Sequence, residues 1–64
     1  MTKTFNCTYG EVTVRTAMFD TDGTNLEEGI EVKGDEIGLI EVYGYYDVNE
    51  MTNEDVEIII SDLL

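Results

Sequence analysis

Five oxygen-bearing side chains in one short stretch, Asp20, Asp22, Thr24, Glu28 and Glu31, stand at positions one, three, five, nine and twelve of a Ca²⁺-loop register. Hard cations take oxygen donors at such spacings, so a calcium site is the first chemistry these residues offer. Three features oppose it. Position six is Asn25 where the sharp turn calls for glycine, Gly23 is displaced, and the flanking segments read as strands rather than helices. A solvated loop between two strands explains the same residues, and the expectation is that the chain holds no metal and needs no cofactor.

Other catalytic chemistry lacks its parts. The chain has no His; its single Ser, Ser61, falls inside a helical pattern, and its single Cys, Cys7, falls mid-strand. Neither has a base with which to build a triad or a thiolate pair. Cys7 reads as a small core residue. Carboxylates are so abundant that the closeness of any two carries no acid–base meaning. The expectation is a protein that is not an enzyme. A lone cysteine cannot close an internal disulfide, which fits a reducing compartment, the cytoplasm of a host cell.

That abundance is itself the main signal. Fifteen Asp and Glu face three Lys and Arg, a net charge of −12 in 64 residues. From Gly34 to Leu64 there are nine acids and no base, so local ion pairs cannot neutralise that half. Repulsion among them works against a compact state whose margin at this size is only ~3–5 kcal/mol. Direct binding to nucleic acid is excluded on sign, because phosphates are held by Lys and Arg. Anionic lipid surfaces repel the chain too, and an apolar run such as Ile58-Ile59-Ile60 is far short of the ~20 residues of a membrane span.

The opposite role is open. In a body of about 28 Å the net charge amounts to roughly one per 2–2.5 Å, against ~1.7 Å per charge in duplex DNA. Alternate carboxylates on a strand lie ~6.6 Å apart, a spacing that a groove lined with Lys and Arg can accept. Such a surface can imitate a phosphate backbone.

The elements that must carry these charges follow from periodicity. With 42% apolar residues the chain can form a core, and it reads as one domain over 1–64. Residues Thr2 to Tyr9 alternate, with Phe5, Cys7 and Tyr9 on one side, and Gly10 marks a turn. From Glu11 onward Val12, Val14, Thr16 and Met18 share a face, and Thr13, Arg15, Ala17 and Phe19 point away. Asp20 to Asn25 is a loop. Ile30 and Val32 alternate with Glu31 and Lys33, Gly34-Asp35-Glu36 turns the chain, and Ile37 to Tyr46 forms a fourth strand with a bend at Gly44. The period then changes. Val56, Ile59, Ile60 and Leu63 recur at i, i+3, i+4 and i+7, the inward stripe of a helix beginning near Asn53. Thr52 is its N-cap, Asp55 completes a capping box, and Met51 staples to Val56. The fold class is α+β: a four-stranded antiparallel sheet built of hairpins, with one C-terminal helix packed on one face.

On that helix Glu54, Glu57, Ser61 and Asp62 face outward around Ile58, an arrangement of apolar anchor and charged rim that suits an interface. The residues expected to meet a partner are Asp35, Glu36, Asp47, Glu50, Glu54, Glu57 and Ile58.

The segment Lys3 to Val14, with its K-T-F, Y-G and V-x-V arrangement, resembles the N-terminal hairpin of small proteins carried by phages and conjugative elements. Size, acidity and missing catalytic groups are also similar in type to the phage-encoded DNA-mimic inhibitors, several anti-CRISPR proteins among them. That similarity implies a stoichiometric inhibitor of a basic nucleic-acid-binding protein, a CRISPR effector or other defence nuclease, and it carries no residue roles with it. The alternatives are a phage or plasmid protein-interaction module without mimicry, and a small calcium-binding domain through the 20–31 loop. A homodimer is left open.

Overall fold

The computed structural model describes residues 1–20, 23 and 25–64. The alternating segments become four strands, β1 (Thr2–Cys7), β2 (Gly10–Asp20), β3 (Leu26–Gly34) and β4 (Gly38–Tyr43), each antiparallel to the next in the order β1-β2-β3-β4. A short 3₁₀ turn, Val48–Glu50, and the helix α1 (Asn53–Leu63) follow. The α+β architecture is therefore the expected one.

Register sets what each face presents. Phe5 pairs with Val12, Val14 with Val32, and Val32 with Ile40, so these side chains stand on one face. Phe5, Val12, Val14, Ile30 and Val32 are buried there beneath Val48, Met51, Val56 and Ile60 from the C-terminal segment, and Ile40 and Val42 are half-buried beside them. Burial of these apolar side chains contributes about 1.5–3 kcal/mol each, the main force closing the two layers. Among the described residues, no helix is long and apolar enough to cross a membrane.

The first hairpin is tighter than its sequence suggests. Cys7 pairs directly with Gly10, so the link is Thr8-Tyr9 and Gly10 opens β2 rather than forming the turn. Gly10 has φ +88, a left-handed conformation that closes a two-residue link and that a side chain would strain. Strand four also ends early. Gly44 bends the chain after Tyr43, its N–H donating to the Glu28 carbonyl at 2.9 Å, and Tyr45 and Tyr46 leave the sheet.

Sharing a face with the core does not bury a residue at the far end of the sheet. Thr16 and Met18 are exposed although they share a face with Val12 and Val14, because the C-terminal layer does not reach the far end of the β2–β3 hairpin. Burial there passes to the opposite face. Phe19 is 8% exposed, its ring 5.0 Å from that of Tyr43 and lying across Gly29.

The helix begins as expected. Asp55 N–H donates to Thr52 Oγ1 at 3.2 Å while Thr52 N–H donates to Asp55 Oδ2 at 3.0 Å, closing the capping box. Met51, just before the cap, is buried in the same cluster as Val56. Val56 and Ile60 are buried and Ile59 half-buried, but Leu63 is 50% exposed. The Thr8–Tyr9 turn touches the helix at Glu57 and Ser61.

Candidate functional site

The charge of the C-terminal segment is held in place by the chain itself. Asp47 caps the 3₁₀ turn through Oδ1, which accepts from Asn49 N–H at 3.1 Å. Asp55 is held by the capping box, and Glu57 accepts from the Thr8 hydroxyl at 2.5 Å. Lys3 lies against this segment, yet its Nζ is spent on main-chain oxygens, at 3.1 Å from the Met51 carbonyl and 3.5 Å from that of Asn49, with the Phe5 ring beneath it. Asp47, Glu50, Glu54, Asp55, Glu57 and Asp62 thus lie in one stretch whose nearby cation ties down backbone rather than pairing a carboxylate. The ion pair among the described residues lies elsewhere: Arg15 Nε meets Glu31 Oε1 at 2.5 Å on the open face of the sheet. That hydrogen bond, together with the carboxylate's charge, raises the guanidinium above its ordinary pKa.

Between α1 and the segment after β4 runs an open groove of about 490 Å³, lined by Tyr45, Tyr46, Asp47, Glu50, Met51, Asp55, Ile58, Ile59 and Asp62. Its lining combines aromatic and aliphatic surface with four carboxylates. Ile58, 53% exposed, also belongs to the shallow outer surface of the helix with Glu54, Glu57, Ser61 and Asp62, so it joins the two.

The structure thus brings together five of the seven expected partner-binding residues: Asp47, Glu50 and Ile58 in the groove, Glu54 and Glu57 on the adjoining helix surface. Asp35 and Glu36 stand apart. They occupy the β3–β4 turn beside Tyr9, Glu11 and Lys33, with the Glu36 carboxylate lying over Gly10. Tyr45, Tyr46 and Asp55 are groove residues that sequence reasoning did not select. Gly44 was the available signal, since a strand broken at a glycine releases the tyrosines that follow it.

Positions nine and twelve of the calcium register are set apart in the fold. Glu28 and Glu31 are three residues apart in β3 and so point to opposite faces of the sheet, and Glu31 is engaged by Arg15. Asp20 Oδ1 accepts from Gly23 N–H at 2.7 Å, a local turn bond. Asp22 and Thr24 lie outside the described residues. Among those described, no group of three or more potential ligands converges.

The body measures 37 × 23 × 17 Å, more elongated than the even globule assumed from chain length. Along its long axis the net charge is spread at about one per 3 Å, closer to one strand of duplex DNA, ~3.4 Å, than to both. No family model matches the chain, and comparison with curated proteins and with solved structures gave no match either.

Proposed function

We propose that this protein is a non-enzymatic inhibitor that occupies a Lys- and Arg-lined nucleic-acid site of a host defence complex. Its most specific form is an anti-CRISPR protein acting in the host cytoplasm on the PAM-reading or duplex-entry surface of an effector, where arginines are preformed for anionic acceptors. The observation that carries this reading is the run from Asp47 to Asp62, six acids on one flank without an ion pair to any described residue, Asp47 and Asp55 held by backbone N–H groups and Glu57 by the Thr8 hydroxyl. Fixed charges lose little entropy on meeting a basic partner, and their summed field steers it.

A second reading, a protein-interaction module without mimicry, draws on the exposed Ile58 and Tyr45 beside those charges. One experiment separates the two. A variant carrying Glu50→Gln, Glu54→Gln, Glu57→Gln and Asp62→Asn keeps side-chain volumes and leaves both caps intact. Duplex-DNA binding by a candidate effector is measured with wild type and variant at rising salt. Mimicry requires that the variant lose inhibition, that each single change weaken it only modestly, and that wild-type inhibition fade with salt. If the folded variant inhibits as well as wild type, the acids serve only hydration and the interaction-module reading replaces mimicry.

A further inference from the structure

The groove between α1 and the Tyr45–Met51 segment has a lining that discriminates between cations. The geometry points to its being a docking site for an arginine side chain of a protein partner, the guanidinium set among Tyr45, Tyr46 and Ile58 with the surrounding carboxylates as acceptors. This inference rests on the basic partner proposed above and names the chemistry it must present.

Three observations carry it. The first is charge complementarity: Asp47, Glu50, Asp55 and Asp62 line one groove, and the single nearby cation, Lys3, is committed to the Met51 and Asn49 carbonyls. The second is the aromatic and aliphatic surface between them. Tyr45 is 78% exposed and Ile58 53%, so both offer surface in advance of binding. An ammonium is a compact, strongly hydrated charge that loses its water reluctantly against such walls. A guanidinium is planar, weakly hydrated, stacks on aromatic faces and meets carboxylates with two parallel N–H donors. The third observation rules out a second copy of this chain as occupant. Its one arginine, Arg15, is already paired with Glu31, and two bodies of net charge −12 repel each other.

The test uses hexa-arginine and hexa-lysine peptides of equal charge, titrated into the intact protein at moderate salt and followed by amide chemical shifts. Arginine peptide should bind about fivefold or more tightly than lysine peptide, with the largest shifts at Tyr45, Tyr46, Ile58 and Ile59. Tyr45→Ala removes no charge and should abolish the preference; Ile58→Ser, also at an exposed site, should reduce it. Removing two charges elsewhere, by Glu11→Gln with Glu27→Gln, should weaken both peptides alike and leave the preference intact.

Equal affinity for the two peptides, or a preference that survives Tyr45→Ala in a protein whose spectrum remains dispersed, overturns the proposal. The two readings also fail separately. If no arginine preference exists while the four-acid variant loses inhibition, the groove proposal falls and mimicry stands. If the preference is found but wild type never displaces duplex DNA, mimicry falls and the groove stands.

Discussion

At Gly29 a single absent methyl group organises one end of the sheet. A Cβ built there lies 2.6 Å from Phe19 Cε2 and also collides with the Val42 carbonyl, so the aromatic ring occupies space that only glycine leaves free. Gly29→Ala should therefore displace Phe19 from Tyr43 at a cost of about 1–3 kcal/mol. For a domain of this size each kcal/mol lowers the melting temperature by roughly 4–8 °C, which a urea or thermal melt can resolve. Ile58 is the opposite case. It is 53% exposed and belongs neither to the buried core nor to the half-buried residues packed against it, so Ile58→Ser should change the unfolding free energy from a urea melt by less than about 0.5 kcal/mol. A large loss there would make Ile58 a structural residue and remove it from the binding surface.

The helix shows how local chemistry positions a surface. Eleven residues are too few for a stable isolated helix in water, so α1 depends on its cap and on packing through Val56 and Ile60. Thr52→Ala deletes the acceptor for the Asp55 amide and should cost about 1 kcal/mol. Hydrogen exchange locates the effect: the Asp55 amide should lose protection in Thr52→Ala and recover it in Thr52→Ser. Unchanged exchange would mean that packing alone holds the first turn. Because Asp55 lines the groove, a frayed first turn also disorders one of its carboxylates.

Across the whole molecule the dominant quantity is unpaired negative charge. Of three basic side chains, Arg15 is paired, Lys3 holds main-chain carbonyls, and Lys33 forms no ion pair among the described residues. Screening by salt should weaken the self-repulsion and raise the melting temperature between low and moderate NaCl. A flat or falling temperature would mean that the acids are neutralised already. Divalent ions give an independent check. With Glu28 and Glu31 on opposite faces of β3, Ca²⁺ at millimolar concentration should stabilise no more than Mg²⁺ does. A calcium-specific gain removed by Asp20→Ala would restore the loop as a metal site.

The features legible from residue order were those written within a few residues of each other. Period-two alternation placed the strands, the glycine-bearing links placed the hairpins, and Thr52 with Asp55 placed the helix start, because each depends on backbone preferences and hydrogen bonds that are local. Of the candidate surface, the acids and Ile58 of the helix were legible for the same reason: a helical wheel orders side chains by position alone. Coverage was not legible. Periodicity says which residues share a face but not how far a second layer extends over it, and so Met18 and Leu63, both apolar and in phase, proved exposed, while Phe19 became buried on the other face over Gly29. The same limit hid the groove. Tyr45 and Tyr46 acquire their role only where the chain leaving β4 passes alongside α1, a meeting of segments that only the tertiary packing of helix on sheet decides.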